Sequence, residues 1–264
     1  MSAPTSEVAL FVHSTGVGPF MWNKLLVGLP AGITPLTPTN RGYSLPDLIP
    51  RGTKVTVAEE AAHIKSQIPA GTTGVHLGGH SYGGLVALTL ALDPEVPVKS
   101  LWLYEPVLFG ALRPLVDELP EDVAQQVREF TERTDRFLDA STGGQDAWLE
   151  NFVDYWNHPG MWASMPDKAK DMARLVGWKM FQEVRMVFEE PRAFEAYRLS
   201  VPLTLVKGAR TQPPAREMVR RLAAVNPHAQ VEVLDALGHM GLVSAPDAVR
   251  PSLRSHWARA GLGG

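Results

Sequence analysis

Short apolar runs alternate with helical spacing in the first and last thirds of the chain, and between them only helical spacing occurs. Runs rich in aliphatic residues sit at Val8–Val12, Ile33–Leu36, Val75–Gly78, Lys99–Leu103, Leu203–Val206 and Gln230–Leu234. Among these lie stretches with apolar residues three and four apart: Pro19–Leu29, Val57–Gln67, Tyr82–Leu92, Pro213–Val225 and Ala245–Arg259. The runs are short enough for strands and the periodic stretches long enough for helices. Strands that alternate with helices predict an α/β fold, a mostly parallel sheet with helices on both faces.

From Phe109 to Leu199 the pattern changes. Glu121–Leu138, Asp146–Trp156 and Asp167–Glu189 carry apolar residues at helical spacing, punctuated by Gly143-Gly144, His158-Pro159-Gly160 and Pro166. A helical block between two sheet strands predicts an inserted cap over the sheet's carboxyl edge. On that reading residues 1–108 and 200–260 form the core and residues 109–199 the helical cap. The closing Gly261-Leu262-Gly263-Gly264 predicts a disordered tail.

Composition narrows the function classes. A 264-residue chain with 45% hydrophobic residues can bury a large core without covalent staples. It has no cysteine, which excludes disulfides, a thiolate nucleophile and thiolate metal ligands. A net charge of −3 gives no reason to expect nucleic acid or an anionic membrane as partner. The segment Met1–Glu7 lacks a basic start, and Val8–Val12 is too short for a signal core or a membrane span. The expectation is a soluble, cytoplasmic protein. No metal-ligand spacing, phosphate loop or dinucleotide glycine pattern occurs, so no cofactor is implied.

The densest chemistry lies in Val75-His76-Leu77-Gly78-Gly79-His80-Ser81-Tyr82-Gly83-Gly84-Leu85-Val86-Ala87. A strand ends, Gly79-x-Ser81-x-Gly83 follows, and a helix begins at once. A serine on so tight a strand-to-helix turn is strained, and its neighbours need glycine for backbones to pass closely. Its hydroxyl is then lifted clear, with the N–H groups of the helix start aimed at developing negative charge.

On this context the chain resembles the α/β-hydrolase superfamily over nearly its whole length outside the cap. Phe11-Val12-His13-Ser14-Thr15-Gly16 resembles the loop that supplies half of the oxyanion hole. Pro38-Thr39-Asn40-Arg41-Gly42-Tyr43-Ser44 is similar to the segment after the next strand. Leu237-Gly238-His239-Met240-Gly241 looks like the turn that carries the catalytic histidine.

The resemblance implies Ser81 as nucleophile and singles out His239 from eight histidines as general base. His13 and His80 flank the same site and are expected to pack or hydrogen-bond structurally. The backbone N–H of Tyr82 is one expected oxyanion donor, and the other comes from Thr15 or Ser14, although Ser14 stands where the family usually has glycine. Most relatives carry an aspartate after the penultimate strand. Here Thr211 holds that place in Gly208-Ala209-Arg210-Thr211, and its replacement by alanine is expected to matter little. Two carboxylates could substitute: Glu105, which ends the strand after the elbow helix as in haloalkane dehalogenases, or Asp235, four residues before His239. Cap aromatics and methionines should roof the pocket, with Trp162, Met240 and Leu242 expected in its walls. The implied activity is a cofactor-independent carboxylic-ester hydrolase acting on a small apolar or aromatic ester. Thioesters, lactones and C–C bonds remain open, as does a non-catalytic binding protein that kept the fold.

Overall fold

A computed structural model describes residues 6–132 and 137–262. Its six strands are β1 (Ser6–Val12), β2 (Ile33–Leu36), β3 (Thr72–His80), β4 (Val98–Tyr104), β5 (Leu203–Gly208) and β6 (Gln230–Leu234). All pair in parallel, in the order β2-β1-β3-β4-β5-β6. The connections run one way from β1 to β2 and the other way from β3 onward. In an open α/β sheet, the carboxyl ends at such a reversal form the ligand crevice.

Alternation along each strand sorts side chains to two cores. Val8, Leu10, Val12, Leu101 and Leu103 point to one face, which is covered by α1 (Val57–Lys65), α2 (Tyr82–Ala91) and residues of the inserted segment. Ala9, Phe11, Trp102 and Tyr104 point to the other. β3 extends beyond its apolar run at both ends, and within it Gly78 serves packing: a Cβ there would lie 2.2 Å from the ring of Phe11. Residues 19–29 differ from the expected helix. Only Pro19–Trp22 forms a tight helical turn, and the turns that follow reach Gly28 at φ +78°.

Between β4 and β5 the described residues form no strand. They form α3 (Phe109–Leu112), α4 (Glu121–Glu132), α5 (Asp146–Trp156), α6 (Met161–Ser164), α7 (Asp167–Leu175) and α8 (Gly177–Glu189). The expected helix 121–138 is described only to Glu132, since residues 133–136 lie outside the described residues. The expected helix 167–189 is two helices. Gly177 meets Gly144 so closely that a Cβ would sit 2.3 Å from the Gly144 carbonyl oxygen, and the backbone breaks at Val176. After β5 come α9 (Pro213–Val225), α10 (Gly241–Ser244) and α11 (Pro246–Arg259). At the expected tail, Gly263 and Gly264 lie outside the described residues. No helix of the described residues is long and apolar enough to cross a membrane.

Candidate active site

Ser81 sits between β3 and α2 at φ 56°, ψ −123°. This backbone is costly for a side-chain-bearing residue and must be held by its surroundings. Two neighbours make it possible. A Cβ on Gly79 would come within 2.5 Å of the Gly83 carbonyl, and one on Gly83 within 2.2 Å of the Val12 carbonyl. The turn is also tied to the end of β4, because Ser81 N–H donates to the Tyr104 carbonyl and Val107 N–H to that of Ser81.

From Ser81 a hydrogen-bonded series runs inward. The Ser81 hydroxyl lies 2.9 Å from His239 Nε2, and His239 Nδ1 lies 2.7 Å from Glu105 Oε2. A carboxylate only accepts, so Nδ1 carries the ring proton and Nε2 is free to accept from the serine. Glu105 is fully buried and accepts two further bonds, from the Gly208 N–H at 2.7 Å and the Thr211 hydroxyl at 2.6 Å. Donors to every side of the carboxylate offset much of its desolvation. Its backbone is at φ 44°; Ser81 and Glu105 are the only non-glycine residues with positive φ among the described residues. The residue at the usual acid position therefore touches the carboxylate that reaches His239. Asp235 is exposed on the surface.

The two flanking histidines brace the loops. His80 Nε2 donates to the His239 carbonyl at 2.9 Å, its ring leans on that of His239, and burial holds its pKa well below the ordinary value. His13 Nδ1 donates to the Ser14 carbonyl and its Nε2 accepts the Asn40 N–H, while burial lowers its pKa to about 4. Both are neutral framework at neutral pH.

Thr15, Ser81 and Tyr82 line one cavity of about 390 Å³, counting its open mouth. Ser14 does not line it; its φ is negative and its hydroxyl turns toward the Met21 sulfur. The remaining wall is mainly aromatic and aliphatic, with Phe109, Phe130, Phe152, Trp156, Val187 and Phe188, and it includes one carboxyl, Glu183. Trp156 stacks on the His239 ring at 3.9 Å.

The expected pocket residues are corrected here. Leu242 is fully buried in the opposite core because α10 turns it beneath the sheet. Trp162 packs inside the inserted segment, with Lys170 and Arg174 over its ring. Met240 is half-buried at the start of α10 and lines no part of this cavity. Trp156 and Glu183 were not singled out from the sequence. Helical spacing showed which helices are amphipathic, but not which of their faces meets the sheet. No group of three metal-ligating side chains occurs among the described residues.

A strained serine elbow, a histidine and a buried carboxyl at the carboxyl edge of a parallel sheet define a hydrolase architecture. The chain belongs to the alpha/beta hydrolase family, whose model matches residues 9–251. No curated protein matches it. Solved structures do. A putative lipase from Acinetobacter baumannii AYE aligns at TM-score 0.73 with 16% identity, over 98% of this chain and 86% of that one. A thermophilic esterase from Thermogutta terrifontis aligns at 0.62 with 21% identity, over 97% and 91%. A meta-cleavage product hydrolase from Pseudomonas fluorescens IP01 aligns at 0.67 with 15% identity, over 97% and 92%. At these identities the likeness is one of fold.

Proposed function

We propose that the protein is a cofactor-independent serine hydrolase of carboxylic esters with a small apolar or aromatic acyl group. The observation that carries this reading is the unbroken series Ser81–His239–Glu105 opening onto an apolar cavity. Ser81 Oγ attacks the ester carbon as its proton passes to His239 Nε2, and Glu105 stabilises the imidazolium. The N–H groups of Tyr82 and Thr15 receive the oxyanion, each worth ~3 kcal/mol. Collapse expels the alcohol with the proton from His239, and water then releases the acid by the same steps in reverse. Residues 109–199 act as the cap that selects the acyl group.

Labelling with a fluorophosphonate, followed by a panel of activated esters of graded acyl length, tests the reading. The label should add at Ser81, and Ser81→Ala should lose both label and turnover, a fall of about 10⁴-fold or more. A folded wild-type protein that neither labels nor turns over would identify a binding protein instead. A C–C bond hydrolase is the second reading, favoured by the aromatic walls. Turnover of a vinylogous diketone with slow ester cleavage would decide for it.

A further inference from the structure

Beside the proposed reaction centre lies a second polar cluster. Lys179 and Glu183 on α8 and Glu60 on α1 are all essentially fully buried. Lys179 Nζ donates to Glu60 at 2.5 Å and to Glu183 Oε1 at 2.7 Å. Glu183 Oε2 accepts the Tyr43 hydroxyl at 2.8 Å, and the Tyr43 oxygen accepts the Gly16 N–H at 2.8 Å. The Thr15 side chain also interacts with the Glu183 carboxyl.

Two carboxylates and one ammonium are a costly way to join an inserted helix to a core. Burying each ion loses several kcal/mol of solvation, and apolar side chains of similar volume often do the same joining at no loss. The cluster has a specific destination, however. Its far end reaches residues 15 and 16, the loop proposed to aim an N–H at the oxyanion. At Gly16 that loop turns at φ +73°, a conformation that side-chain-bearing residues rarely adopt. A second contact converges on it: a Cβ on Gly16 would lie 2.7 Å from Met180 Cε, so α8 also packs directly against the loop. Tyr43 braces it from the other side, its ring edge-on to His13 at 4.9 Å. Burial and the neighbouring carboxyls hold the Tyr43 pKa far above its usual value, so its hydroxyl keeps the proton that it donates.

We propose that α8 sets the oxyanion loop, with Glu183 as a positioning residue that acts through Tyr43 and Thr15 on the N–H facing Ser81. The inserted segment is then part of the reaction machinery as well as a wall. This rests on the serine-hydrolase reading above. Oxyanion donors work because they stand in place before charge develops, and a misplacement near 1 Å costs on the order of 10²-fold.

The test compares the wild type with Glu183→Gln, with Tyr43→Phe, and with Arg174→Ala as a control that breaks an exposed ion pair elsewhere in the insertion. Rates are taken per fluorophosphonate-titrated site, together with affinity for a trifluoromethyl ketone and hydrogen exchange of residues 13–17. Both loop variants should lose about tenfold or more in kcat with little change in KM, and lose affinity for the ketone in parallel. Exchange at residues 13–17 should quicken in both, while the control leaves it unchanged. If Glu183→Gln does not fold, Tyr43→Phe carries the same expectations. Unchanged kcat per titrated site, or a raised KM at constant kcat, would overturn the proposal, the latter because it marks Glu183 as a substrate contact. A wild type without ester turnover or label would defeat the hydrolase reading alone. Exchange at residues 13–17 would still decide whether α8 holds the loop.

Discussion

The strand tips and the inserted helices contribute to one cavity by different means. At the tips, backbone conformation does the placing: Ser81 and Glu105 both stand in the left-handed region, locked by hydrogen bonds between neighbouring strands. In the insertion, ordinary helices present side chains, and none of them joins the Ser81–His239–Glu105 series. Strain of ~1–3 kcal/mol per residue persists only where the surroundings over-determine it. The tips are therefore the part least tolerant of change, and the insertion the part where selectivity can vary.

The sharpest way to break this comparison is at the tip of β4. Glu105→Gln keeps the shape, but its one carbonyl oxygen can accept only from Gly208 or only from the Thr211 and His239 side, and it removes the charge opposite His239. We expect kcat to fall by ~10²–10⁴-fold with little change in KM or fold. Near-normal activity would mean that the buried carboxyl is only structural, and that the tips do not hold the acid.

The two regions also differ in how far the sequence disclosed them. The elbow was legible because a serine between two glycines at a strand-to-helix turn has few other uses. All six strand tips were placed to within two residues, which suffices to bring Glu105 and His239 together once the sheet is parallel. Residues 19–29 misled because apolar spacing fits both a helix and a packed chain of turns. The pocket was not legible. Trp156 and Trp162 lie on neighbouring helices with similar surroundings in the sequence, and only the packing of α5 turns one of them onto His239. Nothing in the sequence distinguishes Glu183 from the other charges of residues 167–189, and only the structure shows α8 buried on nearly all sides.

Acidification should separate the regions next. His13 is held at about 4 and His256 at about 3, both chiefly by burial, and His80 is lowered in the same sense. The unfolded chain takes up protons on these rings below about 6.5 while the folded one does not, so stability falls with pH from there toward 4. Each ring contributes up to ~1.4 kcal/mol per pH unit. Glu183 has the opposite sign, since burial raises its pKa and its contribution is lost as pH rises instead. Urea midpoints should drop between pH 6.5 and 4, with faster hydrogen exchange in β1 and α11 before α8. A flat midpoint over that range, or α8 loosening first, would contradict the assignment.

Selectivity should respond to the insertion with a smaller change. Val187 lines the cavity from α8 at a distance in sequence from every tip. Val187→Phe should shift preference toward shorter acyl groups by ~1–3 kcal/mol in kcat/KM while the shortest ester keeps its rate. Equal loss on all esters, with a lowered Tm, would mean that Val187 belongs to the insertion's own core. Trp156→Phe is the useful contrast, because it alters the ring stacked on His239 and should slow every ester alike.

The smallest effect tests the tip of β5, where the sequence alone suggested indifference. Thr211 fills the place of the usual acid, and a threonine there could be a relic. Its hydroxyl instead donates at 2.6 Å to Glu105 Oε2, the same oxygen that accepts from His239. Removing it leaves a buried carboxylate short of one donor and frees the oxygen to shift away from the imidazole. A single hydrogen bond of this kind is worth ~1 kcal/mol, somewhat more to a charged group. Thr211→Ala should therefore cost kcat about tenfold, on every ester equally and without changing acyl preference. Thr211→Ser, which keeps the hydroxyl, should restore most of the rate. If Thr211→Ala is silent, the Gly208 N–H alone fixes Glu105 and the tip of β5 contributes only backbone. If both variants fall together, the lost methyl is what matters, and packing at the tip outweighs its hydrogen bond.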